Sequence, residues 1–461
     1  MSKTLKYFFL LISFAIIGSC TSEDKNKATY FGGKIINPKT DYVLLFEQGE
    51  LIDSLFLDKN DKFIGEYKDF NEGLYTFKHG DELQYVYLEP KDSILIRLNT
   101  WDFDETLVFS GSGADKNNIL IDWFLEGEKE SKNSALNKMF KLEPELFKFK
   151  MDSVLNIRAQ KIKAFKEKNE DLPSNYLEVL DVLVNYPIYI RFEEYPNYYR
   201  YYQGSEHFPI VSNDFYSFRK KIDINNNNLK HLGPFNSYIS YRLHNNVYSE
   251  GIPRSSSKFT SAILNSIDKS LTNEDLKNRF LYEILVGDFL KKSSCSLKKD
   301  DFYTYFKLST DIENKKQVQR IINDIKNMHG GKMLSDFKIT DYLNTKRSIQ
   351  KLAKNKNTAI CFWNPSYTNT HSLIKRFNNL TKKFPKVNFI LVKLTDIDTD
   401  YVHGIDIKNQ YYLEPTSEAN SFLTSKLPRT LLVNKKGIIV NGYAHIKSYR
   451  FNKQIKNLQK N

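Results

Sequence analysis

The sequence predicts a multidomain α+β protein, and three patterns along the chain indicate it. Short segments rich in β-branched and aromatic residues, separated by turn residues, fill residues 29–113. Apolar residues at helical spacing mark residues 114–335, and apolar strands alternate with amphipathic helices over residues 336–461. Because the chain is too long for one core, we expect an N-terminal antiparallel β-sandwich, a helical middle region and a C-terminal α/β domain.

Residues 1–19 have the pattern of an export signal. Two lysines precede an apolar run from Tyr7 to Ile17, which is too short to cross a hydrocarbon core of about 30 Å as a helix. Residues 17–20, Ile-Gly-Ser-Cys, resemble a lipobox, in which the cysteine is acylated and becomes the mature N-terminus. The sequence therefore predicts a lipoprotein anchored through Cys20, although an ordinary cleaved signal with a coincidental cysteine is the alternative.

The residues after Cys20 bear on the compartment. Thr21, in place of an aspartate, resembles the sorting pattern of outer-membrane lipoproteins, and Glu23-Asp24 resembles surface-export signals of Bacteroidetes lipoproteins. We expect palmitate on Cys20, residues 20–28 as a polar tether, and an outer-membrane location on the periplasmic or the surface face. More than one acyl chain makes such attachment effectively permanent.

Composition argues against several other classes. The net charge is +13, but the basic residues are mainly lysines mixed with acidic residues, and no nucleic-acid recognition motif accompanies them. We therefore expect a lysine-rich solvated surface and no nucleic-acid partner. No later apolar stretch approaches about 18 residues, so no second membrane span is expected. The eight histidines lack ligand spacing, so no metal site and no cofactor are predicted.

The strand pattern of the N-terminal region is regular. Turn residues such as Asn37-Pro38 separate its segments, and regular spacing of this kind is typical of a sandwich. The predicted strands are Tyr42–Phe46, Leu51–Phe56, Leu74–Phe77, Gln84–Leu88 and Ser93–Arg97.

The middle region contains a tyrosine-rich segment, Tyr186–Tyr202, which we expect between helices, one of which begins at Pro144. Its rings could form a platform that stacks a sugar or a peptide. The favoured interpretation is that the tyrosines pack between helices while their hydroxyl groups reach water.

The C-terminal region has the element order of a thioredoxin-like fold. A strand pair and a terminal helix from about Ser448 follow a strand–helix–strand unit. The predicted elements before that helix are strand Thr358–Trp363, helix His371–Phe384, and strands Val387–Leu394, Arg429–Val433 and Gly437–Val440.

Specific residues resemble the TlpA-like thiol–disulfide oxidoreductases. Phe362-Trp363 matches the aromatic pair before that family's Cys-x-x-Cys turn, residues 427–430 resemble its cis-proline loop, and residues 434–437 match its last hairpin. Near the other end, Leu88–Ser93 and Phe109–Gly113 resemble the domain that precedes such modules in Bacteroidetes lipoproteins. The resemblance covers both ends of the chain and the helical middle only loosely.

The family's two cysteines are missing. Their positions fall on Tyr367 and Thr370, and neither side chain can form the thiolate that disulfide exchange requires. The resemblance therefore implies a redox-inactive thioredoxin-like domain without a catalytic residue at this turn. The groove beside the proline could still bind a protein or an extended peptide through backbone hydrogen bonds. The residues expected to line it are Trp363, Tyr367, Thr370, Leu427 and Pro428.

Two alternatives remain open at this point. The protein could be a thiol–disulfide oxidoreductase that uses Cys295 or Cys361, although a cysteine inside the central strand should be buried and unreactive. It could also be a structural part of an envelope complex with a vestigial groove. His371 could act as a base beside Thr370, but a surface histidine in the first helical turn is favoured.

Overall fold

The computed structural model describes residues 28–80, 82–169, 171–291, 298–365, 368, 370–394, 401–422 and 429–460. The predicted signal peptide, Cys20 and Cys295 lie outside these residues. The chain divides into two compact units. The first runs through Ile222 and adds Asn228–Arg242, and the second comprises Asp223–Asn227 and the chain from Leu243. Each unit combines sheet and helix, so the protein is of mixed α/β class.

The first unit contains two four-stranded sheets, ordered β4-β1-β7-β8 and β3-β2-β5-β6. Alternate side chains of both sheets share one core, in which the ring centroids of Phe31 and Phe77 lie 5.7 Å apart. The strands are β1 (Thr29–Ile36), β2 (Tyr42–Glu47), β3 (Glu50–Phe56), β4 (Lys62–Tyr67), β5 (Gly73–His79), β6 (Glu82–Leu88), β7 (Ser93–Asn99) and β8 (Val108–Ser112).

One pairing departs from the antiparallel sandwich that the sequence predicts. β1 and β7 run parallel, with Phe31 opposite Ile94, whereas the other pairings described in these two sheets are antiparallel. The chain reaches β7 from β6 of the other sheet rather than by a hairpin within the sheet. Turn spacing indicates hairpins and cannot set the direction of strands that no hairpin joins.

The two N-terminal segments that resemble the family meet at the start of β7 and the end of β8. The backbone N–H of Ser93 donates to the Ser112 hydroxyl over 2.6 Å, and the Glu89 N–H donates to the Asp92 carboxylate over 2.9 Å. That carboxylate lies against Gly113, which has φ +81° and whose added Cβ would come within 2.7 Å of it. Glycine is needed there for its backbone angle and its size.

The buried Asp92 predicts a pH-dependent stability. Burial raises the pKa of Asp92 to about 6, against about 3.9 in an unfolded chain. Between about pH 4 and pH 6 the folded protein retains a proton that the unfolded chain has released, so the unfolding free energy should fall as pH rises. Asp92→Asn should remove this part of the dependence. Urea unfolding of both proteins across the window measures it, and identical slopes would contradict the prediction.

Helices follow and partly interrupt the strands of the first unit. The first of them, α1, lies between β7 and β8. They are α1 (Phe103–Thr106), α2 (Ala114–Lys132), α3 (Ser134–Lys138), α4 (Pro144–Lys168), α5 (Ser174–Gln203) and α6 (Gly233–Ser249), the last of which ends in the second unit.

The second unit begins with helices and ends in a seven-stranded sheet of order β10-β9-β13-β12-β11-β14-β15. Its helices are α7 (Phe259–Ser270), α8 (Glu274–Lys291), α9 (Lys299–Leu308), α10 (Ile312–Met328), α11 (Ile349–Ala353), α12 (Thr370–Lys383) and α13 (Phe451–Lys460). Its strands are β9 (Lys338–Asp341), β10 (Lys346–Ser348), β11 (Thr358–Trp363), β12 (Asn388–Leu394), β13 (Gln410–Leu413), β14 (Arg429–Val433) and β15 (Ile439–His445).

The strand β11 lies inside this sheet and is buried on both faces. Cys361 and Trp363 pack with α12 and α13, whereas Ile360 and Phe362 face the opposite core, which includes α11 and the end of α10. β12 pairs with β11 in parallel, and β14 pairs with it antiparallel. Among the described helices, none has the length and apolar character needed to cross a membrane.

Candidate functional site

The predicted groove lies where β11 ends and α12 begins. Trp363 is the last residue of β11 and is only 2% exposed, because its ring packs in the core that includes Leu373 of α12. Thr370 is the first residue of α12 and is half-buried. The structure therefore places two of the five predicted groove residues at this end of the sheet. Tyr367, Leu427 and Pro428 lie outside the described residues.

Between Tyr367 and Thr370 in the sequence lies Thr368, a residue that the sequence analysis did not single out. It is buried, and its hydroxyl oxygen has no hydrogen-bond partner in the part of the chain that the structure describes. His371, in the first turn of α12, is exposed as expected. No group of three or more metal-ligating side chains occurs among the described residues.

Cys361 is the free cysteine of the described chain, and it occupies the middle of β11. It is 1% exposed and lies opposite Thr430 of β14. Burial raises the pKa of the Cys361 thiol to about 12, and the nearby Thr430 hydroxyl offsets this effect only partly. At neutral pH this sulfur is a protonated, inaccessible thiol, which agrees with the unreactive strand cysteine predicted from the sequence.

Arg429, the residue that follows Pro428 in the sequence, forms a buried ion pair. The guanidinium of Arg429 donates to the carboxylate of Asp324 in α10, and the two side chains are 4% and 1% exposed. Arg429 also donates from Nε to the carbonyl of Gly442 over 2.7 Å. The hydroxyl of Tyr443 donates to Asp324 over 2.9 Å, and the Tyr443 ring centroid lies 4.1 Å from the guanidinium carbon.

This ion pair joins the start of β14 to a helix outside the seven-stranded sheet. The sequence contains only a weak indication that Asp324 has a buried partner, because this residue falls among the apolar residues that α10 buries. Its partner is 105 residues away, so no local pattern could identify it. The buried neighbours of Asp324 on α10 are Val318, Ile321, Ile325 and Met328.

The tyrosine-rich segment lies between helices along the chain, as expected, and is itself helical, because α5 continues through Pro187 and Pro196. Tyr186 and Tyr195 are buried, and the Tyr195 hydroxyl donates to the carbonyl of Leu142 over 2.7 Å. The predicted packing between helices is confirmed for these two rings, whereas the Tyr195 hydroxyl bonds to the backbone and does not reach water as expected.

Three other rings of the same segment, those of Tyr198, Tyr201 and Tyr202, are exposed. Tyr198 and Tyr202 border a cavity of about 520 Å³, together with Phe140, Arg191 and Glu194. Burial raises the pKa of Glu194 and lowers that of Arg191. The described chain thus contains an aromatic cavity separate from the predicted groove.

The order β12-β11-β14-β15, with helices after β11 and β15 on one face, defines a thioredoxin-like domain. The solved structures that resemble this chain include thiol–disulfide oxidoreductases with that fold. A Bacteroides vulgatus protein described as a thiol–disulfide oxidoreductase is 21% identical and covers 29% of this chain and 98% of its own, with a TM-score of 0.24. The C-terminal domain of one from Bacteroides thetaiotaomicron is 16% identical, covers 29% and 99%, and has a TM-score of 0.22.

A third similar structure is the exposed lipoprotein thioredoxin of Streptococcus pneumoniae. It is 15% identical, covers 27% of this chain and 99% of its own, and has a TM-score of 0.20. No family model matches the chain, and no curated protein matches it. The fold assignment therefore depends on the strand order and the helix positions of the chain itself.

Proposed function

We propose that this protein is an envelope lipoprotein, anchored in the outer membrane through Cys20, whose thioredoxin-like domain is redox-inactive and binds an extended peptide. The observation that carries the proposal is the chemistry of the β11–α12 turn. Tyr367 and Thr370 stand where the family has its two cysteines. Disulfide exchange needs an accessible thiolate, and a hydroxyl group cannot replace it at neutral pH.

The buried Cys361 argues against a substitute nucleophile. Its thiol has a pKa of about 12 and lies inside the sheet, so it can neither ionise readily nor meet a substrate disulfide. Cys295 is the other cysteine after the predicted lipid site, and the oxidoreductase alternative depends on it.

Peptide binding is supported by how the neighbourhood of the groove is built. Trp363 packs in the core that includes Leu373 of α12, and the buried contacts of Arg429 hold the start of β14 in place. Because these residues are already fixed, the side of the groove that they form loses little conformational freedom when an extended peptide pairs with it. This favours affinity. The structural-component alternative requires no such ligand.

We expect the chain from Thr21 to Asn461 to show no disulfide reductase or isomerase activity above the uncatalysed rate. A variant with Cys295→Ser and Cys361→Ser should behave identically, because neither thiol takes part in catalysis. The measurement is insulin reduction and refolding of a scrambled substrate, with an active thioredoxin as the positive control. Activity that disappears in the double variant would overturn the redox-inactive assignment.

Capture of peptides should depend on the predicted groove. Tyr367→Ala and Pro428→Ala should each weaken binding to an array of immobilised extended peptides, by about tenfold if these residues are central contacts. Tyr449→Ala and Pro385→Ala serve as matched controls, because both residues are exposed elsewhere in the same unit and should change nothing. If the groove variants bind as the unmodified protein does, the structural-component alternative is favoured.

A further inference from the structure

The positive charge of the chain is concentrated in one region. Residues 336–461 contain 22 lysines and arginines against 8 aspartates and glutamates, whereas residues 1–335 contain 46 against 47. The C-terminal domain therefore carries +14 and the rest of the chain −1. This corrects the expectation that basic and acidic residues are mixed along the whole sequence.

Much of this charge meets at one end of the seven-stranded sheet. Thr358, the first residue of β11, pairs with Asn388 of β12 and with Val433 of β14. Asn357 further joins the turns next to these strand ends. Its backbone carbonyl accepts from the Asn388 N–H over 2.8 Å. Its side-chain oxygen accepts from the Lys435 N–H over 3.2 Å. Residues 351–357, 382–388 and 434–437 therefore lie together, at the end opposite Trp363.

These three segments, the basic end, contain neither acidic residues nor arginine. Every lysine in them is exposed, and none takes part in an ion pair within the described chain. The eight lysines are Lys351, Lys354, Lys356, Lys382, Lys383, Lys386, Lys435 and Lys436.

The fold accounts for only part of this charge. Lys382 and Lys383 occupy the last turn of α12, where a cation compensates the negative end of the helix dipole. Lys351 lies in the last turn of the short helix α11, and the remaining lysines lie in turns and have no such role. Like charges without counterions repel each other and destabilise a compact state, so an external anion would offset a cost that the folded chain otherwise bears.

We propose that the basic end binds the surface of an anionic phospholipid bilayer. Lysine is a compact point charge that suits a diffuse layer of phosphates, whereas arginine is the residue that recognises single phosphates and bases with fixed geometry. The only aromatic residue in the three segments is Phe384, which is buried, so the basic end offers no ring on which a nucleic-acid base could stack. The predicted groove lies at the opposite end of the same sheet, so a bilayer contact at the basic end would not cover it.

The proposal goes beyond peptide binding and does not require the lipid on Cys20. The chain from Thr21 to Asn461, which lacks the lipid, should float with vesicles of phosphatidylcholine and phosphatidylglycerol in equal parts. It should not float with phosphatidylcholine alone. Binding should fall steeply towards about 0.5 M salt, because screening weakens contacts between exposed charges. Replacing Lys354, Lys356, Lys435 and Lys436 with glutamine should weaken partition at least about tenfold.

The matched control makes the same charge change elsewhere, by replacing Lys150, Lys166, Lys168 and Lys221 of the first unit, which are also exposed, with glutamine. Partition that persists in this control and is lost in the first variant supports the basic end. No flotation at low salt, or equal loss in both variants, overturns the proposal. Displacement from vesicles by duplex DNA at equal phosphate concentration also overturns it, in favour of a nucleic-acid surface. Peptide capture is unaffected by any of these outcomes, so the two proposals fail separately.

Discussion

Asp324→Asn is expected to lower the free energy of unfolding of the second unit by about 3–5 kcal/mol. The substitution keeps the size of the side chain and removes the negative charge that Arg429 faces in the protein interior. The guanidinium would remain buried without a counterion, and its hydrogen bonds to Gly442 and to the new amide could not replace the lost charge. Urea unfolding followed by circular dichroism measures the change.

The same helix provides the control for this experiment. Glu313 forms an exposed pair with Lys316 on α10, so Glu313→Gln should cost no more than about 1 kcal/mol. Replacing both buried partners with apolar residues, as Asp324→Leu and Arg429→Met, should recover part of the loss, because no isolated charge is then buried. Equal effects of Asp324→Asn and Glu313→Gln would show that the ion pair does not hold α10 to the sheet.

The second large effect is expected at the predicted lipid site. Cys20→Ser should abolish incorporation of labelled palmitate, because serine has no thiol to acylate and the lipoprotein cleavage site is lost. The variant should also migrate as a heavier species, since residues 1–19 would remain attached. Metabolic labelling followed by electrophoresis measures both properties in one experiment.

Cys295→Ser is the matched control for the labelling, since it removes a thiol of the mature chain and leaves the predicted lipobox unchanged. It should retain full incorporation and normal processing. Normal processing of Cys20→Ser without lipid would indicate an ordinary cleaved signal, and the proposed envelope anchor would then be withdrawn while the groove proposal stands.

How far the sequence predicts the fold is clearest in the strands of the sandwich. The strands β2, β3, β5, β6 and β7 are continuous apolar or alternating segments and were predicted within a residue or two. Those that the pattern did not indicate, β1, β4 and β8, each contain glycine, which has low strand propensity. The structure shows why Gly33 of β1 is present, because an added Cβ would overlap the Ile96 carbonyl of the adjacent strand.

The proposed loss of thiol chemistry depends on the sequence alone, because it follows from which residues occupy the turn after Trp363. The same is true of the predicted export signal, whose pattern is local. The sequence also predicts a buried Cys361, which the structure confirms. Only the tertiary structure decided that Asp324 meets Arg429 and that the lysines of three separate segments share one end of the sheet. These properties depend on strand register and burial, which bring distant residues together and set the dielectric environment of their charges.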